Sequence, residues 1–191
     1  SSKSLVNRMG FNNPGSEKTA ANLKRHFDKF GRPNVPLWIN LGKSKLTPLD
    51  KSAEDYSTTF KRLWIYGDVF VINVSSPNTP NLRELQNDEE LSKIITVCQE
   101  VNKKMATEHK TDSKPILVKI APELDDNQLN LVVKTAIASG CDGIVATNTT
   151  TTRPDPKSSS EEKIFGQKGG MSGKPVSYTH LQPTRPTLIS Y

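Results

Sequence analysis

Asp68-Val69-Phe70-Val71-Ile72-Asn73-Val74-Ser75-Ser76-Pro77-Asn78-Thr79 is the stretch that decides the fold. It opens as an apolar run rich in β-branched and aromatic residues and lacks clean alternation, the mark of a strand buried on both faces of a parallel sheet. It then turns polar, with carboxamides at Asn73 and Asn78 and hydroxyls at Ser75, Ser76 and Thr79. Taken alone, Ser-Pro-Asn-Thr is ordinary turn chemistry. Outward from it, the apolar runs 36–41, 116–120 and 143–146 also lead into conspicuous polar groups: Asn40, Lys119, and Thr147 with Asn148. Strands in general end in polar turn residues. Four such endings in succession, one a lysine directly after three aliphatics, instead match a (β/α)8 barrel, whose site is assembled at the C-terminal ends of its strands.

Helical patterns separate these runs. The first takes Thr47 as N-cap with Pro48 behind it, lines up Ala53, Tyr56, Phe60 and Leu63, and stops at Gly67. The second follows Asn87, with Glu90 three residues on, and its stripe is Leu91, Ile94, Ile95, Cys98 and Val101. The third starts at Asp125 with Gln128 in the capping-box position, is expected to bury Leu129, Val132, Val133, Ala136 and Ile137, and stops at Gly140. Strand alternating with helix is the rhythm of an α/β protein. At 191 residues the chain falls short of the roughly 250 of a single (β/α)8 barrel, so the fold is read as an incomplete barrel, about its first half to two-thirds.

Composition narrows the function classes. Hydrophobic residues at 34% and charged residues at 24% fit a packed domain and argue against wholesale disorder. The net charge of +6 comes from scattered lysines and arginines, and aromatics at 6% mostly fall on the core stripes. A nucleic-acid-binding module would need aromatic platforms among clustered basic residues, so no nucleic-acid partner is expected. Cys98 and Cys141 stand 43 positions apart with no CxxC and read as buried free thiols; no metal site is expected. No apolar run is long enough for a membrane span. Because Ser1 is not a methionine, the chain is read as truncated or processed at its start, with targeting information missing. Residues 152–168, polar and carrying Pro154, Pro156 and three serines in a row, read as a long mobile loop, either an active-site lid or a surface insertion. The stretch 169–174 does not make a phosphate loop, since Lys168 stands where a first glycine is needed and Pro175 replaces the serine or threonine. His26, His109 and His180 show no partner spacing and are given no role.

Asn73 to Thr79, followed by Leu82 and Arg83, resembles the signature of the class 2 dihydroorotate dehydrogenases. Five further segments match in the family's order: Asn7-Arg8-Met9-Gly10-Phe11-Asn12, Asn40-Leu41-Gly42-Lys43, Leu117-Val118-Lys119-Ile120-Ala121-Pro122, Thr147-Asn148-Thr149-Thr150 and Gly169-Gly170-Met171-Ser172-Gly173-Lys174-Pro175. The resemblance implies an FMN enzyme that oxidises dihydroorotate to orotate in de novo pyrimidine synthesis and passes electrons to ubiquinone. Ser76 falls on the catalytic base, where the soluble class 1 enzymes carry cysteine. A free serine hydroxyl is a poor base, so the proton must travel on through water or a neighbouring hydroxyl, with Thr79 an early relay. Asn7, Gly10, Phe11, Asn73, Asn78, Asn148 and Thr149 match substrate-binding positions. Asn40, Asn73, Lys119, Thr147 and Gly173 match flavin contacts. Lys119 would stabilise the negative charge of reduced flavin; by its residues alone it is equally a lysine reaching from a strand end to water.

The resemblance covers about residues 5–175. It further implies a membrane surface met through an N-terminal segment missing here, at the mitochondrial inner membrane in a eukaryote or the cytoplasmic membrane in a bacterium. Residues 1–175 are accordingly read as a partial FMN-binding barrel. Residues 176–191, with Pro183 and Pro186 close together, read as a non-native tail. The 191-residue chain alone is expected to be inactive. Two other functions stay open: a dihydropyrimidine dehydrogenase-like FMN barrel, against which Ser76 counts because that relative uses cysteine, and the nonenzymatic basic module already weighed.

Overall fold

The structure, a computed structural model, describes residues 3–79, 81–174 and 176. In chain order its elements are β1 (Ser4–Asn7), α1 (Ser16–Phe30), β2 (Trp38–Leu41), α2 (Ser52–Leu63), β3 (Val69–Asn73), α3 (Asp88–His109), β4 (Ile116–Ile120), α4 (Asp126–Ala138), β5 (Gly143–Ala146), α5 (Ser159–Phe165) and β6 (Gly170–Gly173). The strands β2, β3, β4 and β5 form a four-stranded parallel sheet in that order, each joined to the next by a helix, as in a barrel opened along one side. An antiparallel pair, β1 with β6, stands apart from it.

The helices cover one face of the sheet. Phe70, Ile72, Ile116, Val118 and Ile120 alternate toward Tyr56, Phe60 and Leu63 of α2 and Ile94, Ile95 and Cys98 of α3. The rings of Phe60 and Phe70 sit 4.5 Å apart at its centre. The opposite residues, Asn40, Asn73 and Lys119, fall on the other face, which would be the interior of a closed barrel. Only β3 is buried on both sides as expected; β4 alternates buried with half-buried positions, because the second face is only partly covered among the described residues.

Several expectations need correction. The helix assigned to Thr47 begins later, as a 3-10 turn at Leu49–Lys51 that runs into α2, with Pro48 in the cap position and no side-chain cap. Gly67 follows α2 by a few residues and is required by close approach, since a Cβ there would press on the Phe70 ring at 2.8 Å. In α4 the capping box between Asp125 and Gln128 forms as read, but only Val132 and Ala136 are buried. Leu129 and Ile137 are exposed, because no described element packs on their side of the helix. The 152–168 stretch is not one long loop: it contains α5, capped by Ser158. Arg153 gathers it by donating to the carbonyls of Phe165, Gln167 and Gly169. Cys141 is half-buried rather than buried, and both cysteines are free. Beyond Val176, the segment read as a tail lies outside the described residues.

Candidate active site at the strand ends

The C-terminal end of β3 is fixed from behind. Tyr56 of α2, fully buried, donates its hydroxyl to the Asn73 carbonyl at 2.9 Å, and burial holds that phenol far above its ordinary pKa. Asn73, itself 3% exposed, donates from Nδ2 to Asn40 Oδ1 at 3.1 Å. Its Oδ1 accepts from the Ser75 hydroxyl at 2.9 Å and from Asn148 Nδ2 at 3.3 Å. Asn148 also donates to Ser75 Oγ at 3.1 Å. One buried carboxamide thus joins the ends of β2, β3 and β5, residues 33 and 75 positions away from it in sequence.

Asn7, at the end of β1, is brought to the same place: Asn78 Nδ2 donates to its side-chain and backbone oxygens, each at 3.3 Å. Ser76 lies between Asn73 and Asn78, is buried, and accepts from the Asn78 backbone N–H at 3.2 Å. Thr79 is buried too, and its hydroxyl has no hydrogen-bond partner among the described residues. No hydrogen bond joins it to Ser76.

The remaining residues divide between two clefts. Gly10, Phe11, Asn40 and Thr79 line one of about 860 Å³ beside β2. Lys119, Thr147, Asn148, Thr149 and Gly173 line another of about 370 Å³ beyond β4 and β5. Lys119 stands in register with Asn73, is half-buried, and has its pKa lowered by burial. It makes no hydrogen bond or ion pair among the described residues. Thr149 packs against Gly170, where a Cβ would collide with the threonine hydroxyl.

Two residues of this region were given no role from sequence. Arg83 donates from Nε to the Ser75 carbonyl and from a terminal nitrogen to the Thr149 carbonyl, both at 3.1 Å, and pairs with Glu123 at 2.9 Å. Glu123 in turn accepts from the Thr150 hydroxyl at 2.8 Å and the Thr151 N–H at 2.6 Å. Arg83 is visible in the signature that follows Thr79; Glu123, alone on a loop, gives no sequence signal. Among the described residues no cluster of three or more metal-ligating side chains occurs, and no helix is long and apolar enough to cross a membrane.

Parallel strands joined by helices, with polar side chains converging at the strand C-termini, define an α/β protein of the barrel class, the class in which small-molecule sites sit at those strand ends. The sequence profile of the Dihydroorotate dehydrogenase family matches residues 1–186, and the chain belongs to that family. It is 43% identical over 173 residues to the dihydroorotate dehydrogenase (quinone) of Christiangramia forsetii, covering 91% of this chain and 46% of that one. To the protein of the same name from Halobacterium salinarum it is 44% identical over 172 residues, covering 90% and 44%. The ligand-free dihydroorotate dehydrogenase structure from Eimeria tenella superposes with a TM-score of 0.78 at 31% identity, covering 93% of this chain and 52% of that one. The chain therefore spans about half the length of the curated relatives it matches.

Proposed function

We propose that these residues belong to an FMN-dependent dihydroorotate dehydrogenase that oxidises dihydroorotate to orotate in pyrimidine synthesis and delivers the electrons to a membrane quinone. The observation that carries this reading is the set of carboxamides, Asn7, Asn73, Asn78 and Asn148, gathered around the buried Ser76. Carboxamides offer a donor and an acceptor side by side, which suits the amide edges of a pyrimidine ring. Ser76 Oγ takes the C5 proton as its own hydroxyl proton leaves, and because no hydrogen bond joins Ser76 to the unpartnered Thr79 hydroxyl, a relay through Thr79 needs an intervening water. Gly10 and Phe11 form the turn beside the substrate carboxylate, and Thr149 closes the far side.

The residues also fit a flavin. Lys119 is a half-buried cation with no anionic partner among the described residues, in a cleft that it shares with Thr147 and Gly173. Asn40 and Asn73 would complete the contacts. FMN, when bound, supplies the hydride acceptor. Lys119 would supply fixed positive charge beside it. We further propose residues 1–175 as the barrel part, and a location on the quinone-bearing membrane, the inner mitochondrial membrane in a eukaryote or the cytoplasmic membrane in a bacterium.

The test is anaerobic mixing of the full-length, FMN-loaded protein with dihydroorotate or dihydrouracil. Bleaching of the flavin absorption by dihydroorotate alone, reversed by a quinone, is expected. Bleaching by dihydrouracil instead would move the protein to the pyrimidine-reducing relatives, and no bleaching by either would overturn the reading.

A further inference from the structure

We propose that Arg83 and Glu123 form a positioning clamp that sets the Ser76 loop and the Asn148–Thr149 loop relative to each other, an inference that rests on the dehydrogenase reading given above. Three loops, those after β3, β4 and β5, meet at these two side chains; the other tie between the first and the third is Asn148, through its side-chain bonds to Asn73 and Ser75. Arg83 spends its guanidinium on three partners: the carbonyl of Ser75, next to the proposed base; the carbonyl of Thr149; and Glu123 Oε2. Glu123 sits on the β4–α4 loop, and its second oxygen is taken up by the Thr150 hydroxyl, the Thr151 N–H and the Thr151 hydroxyl. Nearby, Gln86 reinforces the joint by accepting from the Ala121 N–H at 2.9 Å.

The arrangement is specific to arginine. Only a rigid fork can serve two carbonyls and a carboxylate at fixed angles; a lysine ammonium is a point charge on a flexible stem. The pair is also only partly exposed, with side chains at 25% and 26%, so solvent screens it less than a surface ion pair. Neither side chain is among the groups assigned to touch substrate or flavin. Their effect passes through the backbone on which Ser76 and Thr149 are mounted. Proton abstraction is sensitive to displacements of about 1 Å, so a loosened clamp would lower the rate while leaving the binding groups in place.

The discriminating variant is Glu123→Gln in full-length protein, with Arg83→Lys as the second. Glutamine keeps an oxygen for Thr150 and Thr151 but turns an amide toward the guanidinium. Two readouts are taken, hydrogen exchange of residues 73–79 and 147–151, and the single-turnover rate of flavin reduction. Glu123 makes no hydrogen bond to residues 73–79, and the Asn148 bonds to Asn73 and Ser75 offer a second route to them, so coupling through Arg83 is read as faster exchange there in Glu123→Gln that is not increased further when Arg83→Lys is added. We expect exchange in both segments to rise together, reduction to slow by roughly ten- to a hundredfold with orotate affinity changed far less, and the double variant to be no worse than Arg83→Lys. A merely structural role would lower the unfolding midpoint of both variants without the selective exchange or the split between rate and affinity, and would overturn the clamp. If dihydroorotate fails to reduce even the unaltered protein, the functional reading falls. The exchange measurement then still decides the clamp: unchanged exchange at 73–79 in Glu123→Gln sinks it, and coupled exchange supports it.

Discussion

Ser76 is the residue on which the chemistry is staked, and in the sequence it is singled out by the resemblance that the Asn73 to Thr79 motif carries. It is buried just beyond the end of β3, between Asn73 and Asn78 in the chain, and among the described residues its hydroxyl accepts one hydrogen bond, from the Asn78 backbone N–H. In full-length protein Ser76→Ala should slow flavin reduction by about two to four orders of magnitude with dihydroorotate still bound, the usual span for general base catalysis. An unchanged single-turnover rate would sink the assignment. Lys119→Met should make the flavin harder to reduce, or release it, because burial has already stripped this cation of part of its hydration. A variant that retained FMN with an unshifted potential would return Lys119 to the status of a strand-end lysine. Glu123 brings a pH dependence. Burial opposes its charge, but the Thr151 N–H, the Thr150 hydroxyl, Arg83 and the Thr151 hydroxyl together hold its pKa below the ordinary 4.5. A carboxylate depressed on folding contributes stability that is complete above its unfolded pKa and is lost as pH falls through the folded one. The stability that Glu123 contributes should therefore be lost as pH falls below about 4.5, and Glu123→Gln should flatten that part of the acid limb of the stability curve. An identical acid limb in the variant would remove Glu123 from the account. Arg83 is legible only as part of the signature that follows Thr79, and its role and Glu123 are not legible at all, because positioning through backbone carbonyls leaves no compositional trace.

At the scale of elements, the four parallel strands are legible because each is a compact apolar run closed by a polar residue, and β4 and β5 fall on residues 116–120 and 143–146 as read. The elements that are not legible lack that contrast. Ala20, Leu23 and Phe27 of α1 stand at helical spacing, but they are few among polar residues and none of them is buried. The pair β1 and β6 joins segments more than 160 residues apart, and β6 is Gly-Met-Ser-Gly, a composition that disfavours strands and leaves the register to tertiary contacts. In α4 the periodicity is real, but periodicity tells which residues share a face and not how much of that face is covered. The coupling of α2 to the site is testable here. Tyr56→Phe leaves the buried Asn73 carbonyl without its hydroxyl donor, an omission that costs about 1–3 kcal/mol and frees the end of β3. Urea unfolding of the full-length protein should register that loss together with weaker orotate binding. A stability loss with unaltered binding would confine Tyr56 to packing.

For the molecule as a whole, the sheet is the deciding structure. Its outer strands, β2 and β5, each have one edge that no described strand pairs, and one face is incompletely covered. Trp38 of β2 is 54% exposed, and Leu131 and Ile137 of α4 are 44% and 70% exposed. Single exposed apolar residues are common, but these lie on the two sides of the sheet where a closed barrel would continue, and unpaired parallel edges recruit other chains. The described helices bury one face thoroughly, with Phe60, Phe70, Ile72, Ile94 and Ile116 fully inside, so collapse and helix formation should survive. The 191-residue chain, expressed by itself, should therefore give a helical but poorly soluble product that binds a hydrophobic dye and is colourless after purification. Circular dichroism, dye fluorescence, light scattering and the flavin absorption spectrum together test this. A yellow, monodisperse protein with stoichiometric FMN that turns over dihydroorotate would refute it, and would mean that these residues, alone or in two copies, close the site over Asn73 and Lys119 without a continuous barrel.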